Sequence, residues 1–306
     1  MTAALRVVKP GLLTTVQDLG RPHAIASGVS PGGAMDRFAH SAANLLAGND
    51  RGAATLECTL RGPRLVALRT CVIAVTGADM ELRLDGVEAP AWTAIAVREG
   101  QEVSLGARRA GARAYAAVGG GIVADRWLGS MSTNLLVGRG GMHGRPLVEG
   151  DVIEAEQQSD PAPVGRTLPE DLRPGYSDHS LHAIPGPQAG GAIFGRTFQV
   201  SPDSNRMGYR LTGRNLDTNA AEILSFAVIA GAVQLPSGGR PILLMADHQT
   251  AGGYPVVAVV VSASMPVAAQ LAPGDDLVFV ETSIEKALAM RAAQREALES
   301  LTTWSM

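Results

Sequence analysis

The sequence predicts a mainly β protein built from two β-rich halves with few helices. Short apolar runs bounded by Gly, Pro or Asp-Gly recur along most of the chain, which is how strands alternate with tight turns. Gly (36) and Pro (18) are abundant among 306 residues while aromatics are only 4%, so turn formers prevail over long amphipathic periods. From Gln157 to Pro187 the composition shifts to Pro, Gly, Asp, Ser and Arg, which marks a linker. These readings place a first domain at 1–158, a linker at 159–187 and a second domain at 188–306.

In the first half, Asp36–Ala47 reads as a helix with Asp36 as its N-cap and Gly48-Asn49-Asp50 as its stop. The expected strands are Ala54–Leu60, Leu65–Leu68, Cys71–Thr76, Glu81–Leu84, Ala94–Val97, Glu102–Leu105, Arg113–Val118 and Val152–Ala155. Asp85-Gly86 between two of these runs is a two-residue hairpin signal. The second half offers Ala192–Val200, Ala232–Leu235, Pro241–Met245, Val256–Val261 and Asp276–Val280, then a terminal helix Ser283–Leu301 capped by Ser283. Strands this short and this evenly punctuated argue a sandwich or barrel in each half.

Composition excludes several classes. A hydrophobic fraction of 46% against 18% charged supplies a core and argues against disorder. The net charge of −3 and scattered arginines give no basic face for nucleic acid. The longest apolar run, Val256–Val261, is far short of the roughly 20 residues a bilayer span requires. No secretory leader is visible, and Cys58 and Cys71 form no CxxC pair, so a reduced cytoplasmic setting with no membrane is expected. Gly119-Gly120-Gly121 lacks the Lys of a phosphate-binding loop, and no strand–GxGxxG–helix unit occurs. His179-x-x-His182 has no convincing third ligand, so no metal is expected. Lys9 and Lys286, the only lysines, lack the Met-Lys-Met context of a biotin carrier, so no covalently bound cofactor is expected.

Four polar clusters carry the candidate chemistry. Val16-Gln17-Asp18-Leu19-Gly20-Arg21-Pro22 ends a strand at a turn. Ser30-Pro31-Gly32-Gly33-Ala34-Met35-Asp36 leads into a helix N-terminus, where Asp36 either caps the helix or lies beside an anion held by free N–H groups. Ser204-Asn205-Arg206-Met207-Gly208-Tyr209-Arg210 supplies a guanidinium for a carboxylate and a phenol. The most informative is Asp247-His248-Gln249-Thr250, set between Pro241–Met245 and Val256–Val261 with Gly252-Gly253 as the expected turn of a hairpin-like rim. Gln234 is expected on a strand nearby.

The ordered segments TVQDLGRP (15–22), GVSPGGAMD (28–36), AANLLAGN (42–49), GGG…LGSMST (119–133), GRPLVEGD (144–151), SNRMGYRL (204–211), ADHQTAGGYP (246–255) and AQLAPGD (269–275) resemble the allophanate hydrolase subunit 2 family, also called the biotin-dependent carboxyltransferase family. The resemblance covers nearly the whole chain. It implies two cyclophilin-like β-barrel domains and a heteromeric complex in which ATP is handled by another chain. In the 5-oxoprolinase branch the implied partners are the B subunit, which is allophanate hydrolase subunit 1-like, and the A subunit. In the urea carboxylase branch, carboxybiotin would arrive from a carrier on another chain, with urea or a related amide as acceptor. A third branch implies a non-catalytic partner that sequesters a kinase inhibitor.

ATP-dependent opening of 5-oxoproline is the leading expectation, with this chain as the C subunit, holding a small-molecule site and inactive alone. Residue chemistry and resemblance together assign Arg206 to a substrate carboxylate and Asp247 to acid/base work or a lactam N–H. Gln249, Tyr254 and Gln17 would orient the ring, with Gly252 and Gly253 as backbone donors; Asp247, Gln249 and Tyr254 form the expected catalytic set, and Gln234 is counted among the substrate-binding residues. Tyr209, His248, Thr250 and Asp36 complete the candidate set. The sequence departs from the family at His248 (usually Arg), Ser264 and Phe226 (usually acidic) and His23 (usually Gly), which bears on substrate and rate.

Overall fold

The structure is a computed structural model that describes residues 1–158, 163–188, 193–217 and 223–302. It is mainly β, as expected, and divides into two compact units. One comprises Met1–Gly20, Asp36–Arg173 and Arg295–Met306; the other comprises Arg21–Met35 and Pro174–Gln294. The short segment Arg21–Met35, containing the Pro-Gly-Gly loop, thus belongs with the second unit. The boundaries 1–158, 159–187 and 188–306 stand as a proposal.

The first unit contains a seven-stranded and a five-stranded sheet. Alternation of side chains along the strands sends Leu5, Val7, Leu65 and Val103 of the larger sheet into the same buried cluster as Val16, Leu56, Ile73 and Ala114 of the smaller. The helix Arg37–Leu46 packs on the strands Cys71–Asp79 and Ala110–Val118. Asp36 is its N-cap, with a carboxylate oxygen accepting the Ala39 N–H at 2.9 Å. The expected hairpin is present: Arg83–Leu84 pairs with Val87–Glu88, and Asp85 and Gly86 have φ of 50° and 80°. Two strands not anticipated in full, Thr2–Lys9 and Leu13–Gln17, belong to the larger and smaller sheet respectively. Cys58 and Cys71 are buried free thiols, and burial pushes Cys58 up to about 12.

The second unit is a closed seven-stranded barrel. Its strands run in the order Ser180–Pro185, Val256–Val260, Ala232–Gln234, Ile242–Leu244, Gly208–Thr212, Thr197–Val200, Asp276–Glu281. All neighbours are antiparallel except the closing pair, where Ser180–Pro185 runs parallel to Asp276–Glu281. Inward residues such as Leu181, Phe198, Tyr209, Leu211, Val233, Leu243 and Phe279 form one core. Each apolar side chain buried in this way contributes roughly 1.5–3 kcal/mol. The terminal helix spans Ile284–Glu299, with Ser283 Oγ accepting the Lys286 N–H at 3.3 Å. Among the described residues no helix is long and apolar enough to cross a membrane.

One expectation about the second unit is corrected. The strands Ile242–Leu244 and Val256–Val260 do not form a hairpin, because Ala232–Gln234 lies between them and pairs with both. Nor do Gly252-Gly253 turn the chain through the left-handed region. Gly252 lies in a two-residue ladder in which Ala251–Gly252 pairs with Phe226–Ala227. The polar segment 247–254 is therefore a crossover over a neighbouring strand.

Candidate functional site

The candidate residues fall into closed clusters and one open cleft. In the first unit, Gln17 is fully buried and donates through Nε2 to Thr15 Oγ1 at 3.0 Å and Thr133 O at 3.3 Å. Asp36 is also fully buried. Beyond its cap, its own N–H donates to the Tyr115 hydroxyl at 2.8 Å, and that hydroxyl donates to Glu57 Oε2 at 2.8 Å. The adjoining His40 is held to about 4, chiefly by burial. Asp18 is equally engaged: its carboxylate accepts from Gly20 N, Ser130 Oγ, Met131 N and Ser132 Oγ at 2.6–2.7 Å. These carboxylates are occupied in holding their own unit together.

In the second unit, Arg206 and Asp247 meet in a bidentate pair. Arg206 Nε donates to Asp247 Oδ2 at 2.8 Å and Nη2 to Oδ1 at 3.1 Å, while Nη2 also donates to Gly33 O at 2.7 Å. The two side chains are only 9% and 16% exposed, so the pair is largely withdrawn from water. The backbone reinforces it, since Asp247 N donates to Arg206 O at 2.8 Å and Gly32 N to Ala246 O at 3.0 Å. Gly32, at φ +61°, is needed here: a Cβ would lie 2.9 Å from Arg21 Nη1 and 3.6 Å from Asp247 Oδ1. Next in sequence, His248 is buried, and burial lowers its pKa. Its Nδ1 lies 2.6 Å from the Gln249 carbonyl, which selects the tautomer with the proton on Nδ1.

Beyond this pair an open cleft of about 230 Å³ lies on the outer wall of the barrel. Period-two alternation builds it. While Tyr209 and Leu243 point into the core, Gly208, Arg210, Ile242, Leu244 and Gln234 line the cleft. Register places Arg210 opposite Ile242, and Ile242 opposite Gln234, in one row across three strands. Asp203, Asn205 and Met207 come from the loop before one strand, and Gln249 and Tyr254 from the crossover. Tyr254 is half exposed. Val228, Ala232 and Val256 join Leu244 in a small apolar cluster, with Phe226 and Ile242 packed against it.

Gln234 is the anomaly of the cleft. It is 1% exposed, its Oε1 accepts from Gln249 Nε2 at 3.0 Å, and among the described residues its own Nε2 has no partner. Buried polar atoms are ordinarily paired. Whichever way the two amides are turned, their mutual bond leaves one NH2 and one carbonyl to offer a ligand. Gly252 permits the arrangement, since a Cβ there would lie 2.5 Å from Gln234 Nε2. A donor and an acceptor side by side over an apolar floor suit the edge of a cis amide, whose C=O and N–H point the same way.

The structure thus brings Gln234, Gln249 and Tyr254 together. Arg206 and Asp247 are bound to each other, Tyr209 is in the barrel core, and Gln17 and Asp36 belong to the first unit. His248 is buried beside the Gln249 carbonyl, Thr250 O accepts the Val228 N–H at 3.2 Å, and Gly253 lies against Ile223 O and Ser225 Oγ. Of the departures, Phe226 belongs to the ladder with Gly252, and Ser264 is buried with Oγ accepting the His182 N–H at 3.2 Å. Sequence reasoning missed Arg210 and Asn205 as cleft residues. The signal available for Arg210 was its alternation with Tyr209 and Leu211.

The sequence belongs to the family described as carboxyltransferase domain, subdomain A and B, which it matches over residues 27–281. It is 39% identical to the 5-oxoprolinase C subunit of Escherichia coli over 97% of each chain. It is 33% identical to the 5-oxoprolinase C subunit of Haemophilus influenzae over 94% of each. The crystal structure of Kluyveromyces lactis urea amidolyase superimposes with a TM-score of 0.91 at 30% identity, covering 98% of this chain and 20% of that much longer one.

Proposed function

We propose that this chain is the C subunit of an ATP-dependent 5-oxoprolinase, acting with the A and B subunits to convert 5-oxoproline, ATP and water into glutamate, ADP and phosphate. The observation that carries the proposal is the unpaired Gln234 Nε2, set beside Gln249 in an open cleft. Full-length similarity to two 5-oxoprolinase C subunits supports it. Gln234 and Gln249 hold the lactam C=O and N–H, the ring methylenes rest on Ile242 and Leu244, and Tyr254 covers the open side. A lactam resists hydrolysis because amide resonance must be lost. Transfer of the γ-phosphoryl group to the lactam oxygen releases ADP. Water then adds to the activated carbon, the ring C–N bond breaks and phosphate leaves. This chain's part is to fix the amide so that both events meet one geometry. Arg206 and Asp247 act as a positioning pair that stiffens the start of the crossover.

The test is 5-oxoproline-dependent ADP release and glutamate formation by this chain co-purified with its candidate A and B subunits, omitting each in turn. Activity that disappears without this chain is expected. A folded, complete complex that releases neither product would sink the reading.

Carboxyl transfer to urea or a related amide is the second reading. It is supported by 32% identity to Saccharomyces cerevisiae urea amidolyase, of which this chain spans 18%, and by the Kluyveromyces fold match. The ureido ring of carboxybiotin presents the same amide edge, so Gln234 and Gln249 would hold it. The biotin would be carried on another chain.

A further inference from the structure

We infer that Arg210, rather than Arg206, is the cation that recognises the substrate's carboxylate, and that it selects a lactam acid over a neutral amide; this rests on the lactam reading of the cleft. The inventory of donors decides between the two arginines. Arg206 spends Nε and Nη2 on the Asp247 carboxylate and the Gly33 carbonyl, inside a pair largely closed to water. Pulling it away to meet a ligand would leave Asp247 a buried, uncompensated charge. Arg210 is exposed and lines the cleft. Its hydrogen bonds run through its backbone, the N–H donating to Ser204 Oγ at 3.1 Å and the carbonyl accepting from Ser201 N at 2.9 Å and Ser204 Oγ at 3.4 Å. Among the described residues no acid pairs with its guanidinium.

Distance fits as well as charge. Arg210, Ile242 and Gln234 stand in register on adjacent strands, so the guanidinium-bearing residue and the amide lie two strand spacings apart, roughly 10 Å between Cα atoms. Ile242 stands between them in that row, as the floor for a five-membered ring with a carboxylate on the carbon next to its nitrogen. Gly208 keeps that floor low, because a Cβ there would press on Ile242 Cγ2 and the Leu243 carbonyl at 3.1 Å. A guanidinium takes a carboxylate through two parallel N–H bonds, a recognition that urea cannot answer.

The experiment compares 5-oxoproline with 2-pyrrolidinone, the same lactam without the carboxylate. Binding is followed by ligand-observed NMR on the full-length chain, and KM and kcat are measured in the complete complex. The wild type is expected to hold 5-oxoproline at least about tenfold more tightly than 2-pyrrolidinone. Arg210→Gln should erase that preference, raising KM for 5-oxoproline at least about tenfold with a smaller change in kcat, and Arg210→Lys should restore part of it. If Arg210→Gln keeps the wild-type preference, Arg210 is excluded while the 5-oxoprolinase reading survives. Should the wild type bind neither lactam, or both equally, the inference falls together with the lactam reading of this cleft.

Discussion

Arg206 and Arg210 lie four residues apart, yet one belongs to a closed pocket and the other to an open cleft. The first pocket satisfies itself: a bidentate carboxylate, a carbonyl and reinforcing backbone hydrogen bonds account for its charge. The second leaves Gln234 Nε2 unpaired although buried, and has Arg210 among its lining residues with no acid paired to its guanidinium among the described residues. Strand geometry separates the two. Past Met207 the chain enters the barrel wall, and from there each residue is assigned alternately to core or cleft. At these two sites residue type marks where polar chemistry gathers, and hydrogen-bond satisfaction separates Arg206 from the cleft of Gln234 and Arg210.

The largest effect expected from breaking the closed side is on stability. Asp247→Ala leaves the buried Arg206 guanidinium without its counter-charge and should cost about 3–5 kcal/mol in urea denaturation. The joint replacement Arg206→Met with Asp247→Leu should recover much of that loss, because no lone charge remains. Loss of activity with stability unchanged would instead make Asp247 an acid/base group. A smaller effect is expected from the closed cluster of the first unit. His40 is buried and neutral, lowered from 6.5 to about 4, so the unfolded chain binds the extra proton between those values. Stability should therefore be full above pH 6.5 and fall as pH drops toward 4, by roughly 2 kcal/mol at pH 5. Denaturation midpoints at pH 7.5 and 5 measure this, and His40→Gln should flatten the difference. An unchanged slope in the variant would assign the acid sensitivity elsewhere.

Much of the fold was legible because its signals are local. Asp36 caps a helix, Asp85-Gly86 turns a hairpin with positive φ at both residues, and most apolar runs became strands. Strand order was not legible, since it depends on partners distant in sequence: Ala232–Gln234 separates Ile242–Leu244 from Val256–Val260. The strand Gly208–Thr212 hid inside a polar motif, too short for its alternation to stand out. The site was legible as a neighbourhood. Gln234, Gln249 and Tyr254 do meet, but which arginine Asp247 would consume depended on a contact across 41 residues.

The smallest change in stability should accompany the sharpest loss of recognition. Gln234→Leu removes a buried donor that has no partner among the described residues and replaces it with a side chain compatible with the neighbouring Ile242 and Leu244. Removing an unsatisfied polar group in this way is expected to be neutral or to add up to about 1 kcal/mol. Gln249 is only partly buried, and water can take the place of its lost acceptor. Binding of 5-oxoproline should meanwhile weaken at least about tenfold, because the lactam carbonyl loses its donor. Thermal unfolding and ligand-observed NMR on the same sample separate these effects. Destabilisation beyond about 2 kcal/mol would place Gln234 with Arg206 and Asp247 among groups that hold the fold. Gained stability with lost binding is the signature of a residue kept for its ligand, and it would carry the contrast between pocket and cleft from geometry into energetics.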